Sequence, residues 1–194
     1  MDERIEQIRH EIINHADNGI FLERGYSPLF SADERAKIVI VGHAPGSKAQ
    51  EEKKAWADAS GERLMKWMGI SEAVFRDESK IAILPMDFYY QGKGKTGDLP
   101  PRKDFAPLWH PKILKCMPHA QLFVLAGQYA QKFYLADRCK KNLTETVRAY
   151  REYLPGYFPI VHPSPLNFRW FAKNPWFEAE AVFCLKDCIA ALIS

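Results

Sequence analysis

The chain has 194 residues, 47% of them hydrophobic and 13% aromatic, which is enough to bury one substantial core and too apolar for a disordered polypeptide. A formal net charge of +3 tolerates a polyanionic partner without requiring one. Apolar runs fall short of the roughly 18 residues of a membrane span, and Met1-Asp2-Glu3-Arg4 opens acidic rather than secretory, so one cytoplasmic domain over residues 1–194, with no membrane partner, is expected.

In chain order, Ile5, Ile8 and Ile12 recur at helical spacing among charged neighbours and predict an amphipathic first helix that ends at Asn18-Gly19. Four short apolar runs, 37–41, 80–84, 122–126 and 158–161, have the length and β-branched content of buried strands. Helical patterns alternate with them at 53–68, 107–117, 128–136 and 143–153, which implies a parallel sheet covered on both faces, an α/β fold. A last helix opens with Asn174 as N-cap and Pro175 at its first position, and buries Phe177, Ala181, Cys184, Leu185, Cys188 and Leu192. Cys116, Cys139, Cys184 and Cys188 lack the paired spacing of a zinc or iron–sulfur site, so reduced thiols are expected and neither metal nor cofactor is implied.

The stretch Gln91 to Pro101 is rich in glycine and proline and is expected to be an active-site loop. Gly92 to Gly97 fits G-x-G-x-x-G literally, but Asp98-Leu99-Pro100-Pro101 follows where a dinucleotide fold needs a helix, and a Walker loop would need its first glycine at Tyr89. Lys93, Lys95, Arg102 and Lys103 make this loop locally basic, a surface suited to a nucleic-acid backbone or to solvent.

In open parallel sheets, ligands bind beyond the carboxyl ends of the strands. Gly42-His43-Ala44-Pro45-Gly46 follows the first strand and suits a tight turn whose backbone approaches a ligand closely. His162-Pro163-Ser164-Pro165-Leu166-Asn167 follows the last strand, and its prolines hold the histidine in a rigid extended loop.

These two segments resemble the signature motifs of the uracil-DNA glycosylase superfamily. The first is similar to the Gly-Glu-Ala-Pro-Gly motif of the iron–sulfur enzymes, and Ser60-Gly61-Glu62-Arg63-Leu64 resembles the glycine-containing stretch after it. The second matches the His-Pro-Ser-Pro-Leu motif of the classical uracil enzymes. The resemblance implies a three-layer α/β/α sandwich with a four-stranded parallel sheet. It also implies hydrolysis of the N-glycosidic bond of uracil or a related deaminated base, flipped out of DNA into a pocket.

On that basis His162 would donate to the departing base, Ser164 would grip a phosphate, and Leu166 would wedge into the stack, flanked by Pro163, Pro165 and Asn167. Arg169, Lys173, Lys93 and Lys95 would meet neighbouring phosphates, and one of Phe88, Tyr89 and Tyr90 would stack on the base. The resemblance has gaps. Ala44 stands where the classical enzymes carry the water-activating aspartate, and His43 where the iron–sulfur enzymes carry a glutamate. No asparagine follows the second strand, and the cluster cysteines are missing. His43 and Asp87 are therefore expected beside His162 as catalytic residues, with the Asp87 carboxylate at the mouth of the sheet either orienting water or accepting a hydrogen bond from a base N–H. A monomer acting on damaged DNA is the leading expectation; a nucleobase-binding module without catalysis, or a hydrolase of a small N-glycoside, are the alternatives.

Overall fold

The computed structural model describes residues 2–95 and 97–193. Its elements run α1 (Glu3–Asn14), α2 (Gly19–Glu23), β1 (Ile38–Val41), α3 (Ser47–Glu51), α4 (Ala59–Met68), α5 (Glu72–Phe75), β2 (Ile81–Ile83), β3 (Lys93–Gly94) and β4 (Gly97–Asp98). They continue with α6 (Phe105–Leu114), β5 (Leu122–Ala126), α7 (Gln128–Leu135), α8 (Leu143–Arg148), β6 (Tyr157–Ile160), α9 (Phe168–Lys173) and α10 (Val182–Ile193).

Four strands form one sheet in the order β2-β1-β5-β6, and all its pairings are parallel. Side chains of β1 point alternately to the two faces: Val39 and Val41 join Ile5, Ile12, Trp109 and Ile113, whereas Ile38 and Ile40 join Leu64, Trp67, Leu185 and Ile189. Helices α1, α6 and α7 thus cover one face and α4, α8 and α10 the other, giving the expected three-layer α/β/α sandwich. All four β1 residues are fully buried, each contributing about 1.5–3 kcal/mol of apolar transfer.

The first helix ends earlier than its periodicity suggests. The N–H of His15 closes on the carbonyl of Ile12, and Asn18-Gly19 instead opens the short α2. The pattern over 53–68 breaks into α3, a loop and α4, because Asp58 caps α4 and Lys53 and Trp56 adopt positive φ, 52° and 57°. The carboxyl-terminal pattern opens with a π-helical turn over Phe177–Ala181 before α10 begins. Asn174 spends its side-chain oxygen on the Trp176 indole N–H rather than on a backbone amide. The glycine-rich stretch makes the β3–β4 hairpin; Thr96, within the literal G-x-G-x-x-G match, lies outside the described residues. Among the described residues no helix is long and apolar enough to cross a membrane, and the four cysteines are free thiols.

Candidate active site

Sheet order reverses between β1 and β5, so the loops leaving these strands diverge and open a crevice at their carboxyl ends. A cleft of about 670 Å³ lies there. Its walls are the Gly42–Gly46 loop after β1 and the Val161–Asn167 loop after β6, with Ala126 and Gly127 from the end of β5 between them. The two segments singled out in the sequence, more than a hundred residues apart, therefore meet.

Backbone pairing fixes the first wall. The β1–β2 ladder continues beyond the strands, with the N–H groups of Met86 and Asp87 donating to the carbonyls of Gly42 and His43 at 3.0 and 3.2 Å. Gly46 sits at the N-cap of α3, and its carbonyl accepts from Gln50 N–H. The Gln50 side chain is buried and serves two further segments, donating to Ser27 O at 2.8 Å and accepting from Tyr90 N–H at 2.9 Å.

The second wall is fixed in the same way. Buried Gln131 donates to the carbonyls of Leu125 and Ile160, stitching the ends of β5 and β6 together just below the loop. Asn167 donates to the carbonyl of His162 at 2.8 Å. Arg63 of α4, lying over the Phe171 ring, donates to the carbonyls of Pro163 and Ser164. The Ser164 hydroxyl accepts from Leu166 N–H at 3.2 Å, which caps a 3₁₀ turn and leaves its own proton available. Leu166 beyond it is 85% exposed and Phe168 62%.

Sequence reasoning missed the residue that joins the two walls. Trp56 lays its ring against Gly42, where a β-carbon would come within 2.6 Å of the indole, and stacks on His162 with centroids 5.4 Å apart and planes 24° apart. Its carbonyl lies where a β-carbon on Gly61 would be, only 2.0 Å away. Arg76 holds the same turn from behind, donating to the carbonyls of Ala55 and Trp56. The signal in the sequence was the pair Gly42 and Gly61, whose missing side chains make room for one aromatic ring and its backbone. Tyr129 supplies a second aromatic edge, T-shaped against His43 at 5.1 Å.

Among the described residues, neither ring nitrogen of His162 or His43 hydrogen-bonds to a protein group, so both imidazoles offer free nitrogens to the cleft. Burial pushes His162 down to about 4, with nearby His43 adding to the shift and Asp58 opposing it. Burial also lowers His43, against the pull of Asp98 and Asp87. Both rings are neutral near pH 7, and each then has one N–H donor and one acceptor. Among the described residues two carboxylates, Asp58 and Asp98, line the cleft; neither stood out in the sequence.

Other expected site residues lie elsewhere. Asp87 is fully buried and outside the cleft lining; its carboxylate accepts from Tyr89 N–H, Arg102 N–H, and both Nε and Nη2 of Arg102, at 2.7–3.2 Å. A carboxylate so committed has no lone pair to spare for orienting water. Phe88 and Tyr89 are core residues, stacked on Phe30 and Phe21 with centroids 4.6 Å apart in each case, so neither presents a face to the cleft. Tyr90 is half-buried and outside the cleft lining, its N–H anchored to Gln50. Arg102 spends its charge on Asp87 and on Asn18 and leaves the basic loop to its lysines. Lys93 and Lys95 are exposed on the β3–β4 hairpin, whose Gly97 and Asp98 border the cleft, and Arg169 and Lys173 are exposed on α9. Pro165 is exposed beside Leu166, whereas Pro163 is buried and supports the turn.

The model of the uracil DNA glycosylase superfamily matches residues 29–186 of the chain. Among solved structures the chain is similar to a solution NMR structure of a protein from Methanosarcina acetivorans, given there provisionally as a uracil DNA glycosylase. The identity is 16% and the TM-score 0.49, over 82% of this chain and 94% of that one.

Proposed function

The chain belongs to the uracil DNA glycosylase superfamily, and we propose that it hydrolyses the N-glycosidic bond of uracil or a related deaminated base in DNA, as a step of base excision repair. The observation that carries this reading is His162, a neutral imidazole with free nitrogens fixed in the wall of a cleft of about 670 Å³. Cleavage leaves negative charge on the base, and a preorganised N–H donor stabilises that charge as it develops. A neutral donor suits the task, since it need not give up a proton to do so.

Trp56, packed between Gly42 and His162, and Tyr129, edge-on to His43, are the aromatic walls that a flipped base meets, in place of the aromatics after β2. Leu166 is suited to the gap left in the duplex, because it stands 85% exposed at the tip of a pinned turn beside the cleft, with Phe168 next to it 62% exposed. The Ser164 hydroxyl and the exposed Arg169, Lys93 and Lys95 serve the phosphates on either side.

The test is a panel of oligonucleotides containing uracil, hypoxanthine, xanthine or mismatched thymine, single- and double-stranded, scored for alkali-labile sites. Cleavage of at least one lesion, lost in His162→Ala, is the expected result. Lesion-specific binding without cleavage would instead identify a nucleobase-binding module, and hydrolysis of free nucleosides alone would move the substrate from DNA to a small N-glycoside.

A further inference from the structure

N-glycoside hydrolysis leaves positive charge on the sugar and needs a water held on the face opposite the departing base. Ala44 supplies no carboxylate for either task, and that of Asp87 is closed off by four hydrogen bonds. Among the described residues, the cleft lining contains two others, Asp58 and Asp98.

Their settings differ. Asp98 sits on a two-residue strand of an exposed hairpin, and its charge bears on His43. Asp58 sits at the N-cap of α4, where its Oδ1 accepts from the N–H groups of Ser60 and Gly61, both at 3.1 Å. Its Oδ2 has no protein partner among the described residues. The charge of Asp58 bears on His162 itself. Two residues earlier in the chain, Trp56 stacks on that histidine.

We propose that Asp58 is the carboxylate that orients the attacking water and faces the sugar cation, opposite the donor His162. This rests on the glycosylase reading above. The bond between sugar C1′ and the base nitrogen breaks with its electron pair leaving on the base, which His162 steadies through its N–H. Water oxygen forms the new bond to C1′. The proton that water gives up passes to Oδ2 of Asp58 and then by way of solvent to the free base, so a neutral base and an abasic sugar result. The two backbone amides hold the carboxylate in place throughout, so the cap that begins α4 and the water-orienting group are the same side chain.

The experiment uses Asp58→Asn and Asp58→Ser, because asparagine and serine cap a helix about as well as aspartate and the fold is retained while the charge is removed. Single-turnover excision from the oligonucleotide the parent cleaves best is compared with that of Asp98→Asn, alongside oligonucleotide affinity and thermal midpoint. We expect both Asp58 variants to slow excision by about 10²–10⁴-fold with affinity and midpoint preserved. A rate within about threefold of the parent in either variant overturns the assignment, as does a large loss confined to Asp98→Asn. If the parent chain cleaves none of the oligonucleotides, the glycosylase reading falls and the role of Asp58 falls with it; an active parent with active Asp58 variants removes the role alone.

Discussion

Two strand ends carry polar side chains of similar promise in the sequence, and the fold treats them oppositely. After β2, Asp87 is fully buried and every contact it makes is local or structural, most of them to Arg102. After β6, His162 is half-buried, packs beside Gly127 and against the flat face of Trp56, and among the described residues has no hydrogen bond to its ring. The first arrangement locks the chain together and the second leaves capacity for something else. Position at the carboxyl end of a strand is therefore only half of a functional argument; the other half is whether the polar group still has unmet bonding capacity.

The sharpest way to break the comparison is to unpair the closed side. Arg102→Ala strands a buried carboxylate and is expected to destabilise the fold by about 3–5 kcal/mol, read from denaturant midpoints. Excision per folded molecule should persist. If it collapses in molecules that are still folded, Asp87 and Arg102 belong to the site after all. On the open side, His162→Ala should slow excision by roughly 10²–10³-fold with little change in thermal midpoint, the reverse signature.

Gly61→Ala tests the bridge between the walls. A β-carbon 2.0 Å from the Trp56 carbonyl cannot be accommodated without moving the turn, so a loss of about 1–3 kcal/mol should accompany an altered near-ultraviolet tryptophan signal. A pH series sharpens the electrostatic side. His162 and His110 both fall to about 4 from an ordinary 6.5, so as pH drops the unfolded chain takes up protons before the folded one does. Stability should be full above about pH 6.5 and decline towards about 4. Excision should stay level to about pH 5, and an acid limb centred near 6.5 would contradict a His162 that is neutral in the cleft. The smallest effect on the fold is expected from Leu166→Ala, which should stay within about 0.5 kcal/mol of the parent yet bind lesion duplex several-fold more weakly than before, with single strands less affected.

Much of this was legible before any coordinates. The apolar runs Ile38–Val41 and Leu122–Ala126 are buried apart from half-buried Phe123, and hydrophobicity alone marks them. The Gly42–Gly46 and His162–Asn167 turns announced themselves through glycine and proline, whose backbone preferences are local. What stayed hidden depends on long-range contacts. Trp56 sat inside an apparent helical period over 53–68, and only its fit against Gly42, Gly61 and Arg76 turns that stretch into a loop with positive φ. Phe88 and Tyr89 read equally well as binding aromatics or as core, and packing against Phe30 and Phe21 decided the matter. Asp58 sat inside the same apparent helix, and nothing local marks it as the cap of α4 or as part of the cleft lining.

The two walls hang from β1 and β6, which never touch, because β5 lies between them. A fragment holding one wall therefore lacks half of the cleft on which the proposed excision depends. Activity should be an all-or-none property of the chain, vanishing along the same denaturation curve as the tryptophan fluorescence rather than ahead of it.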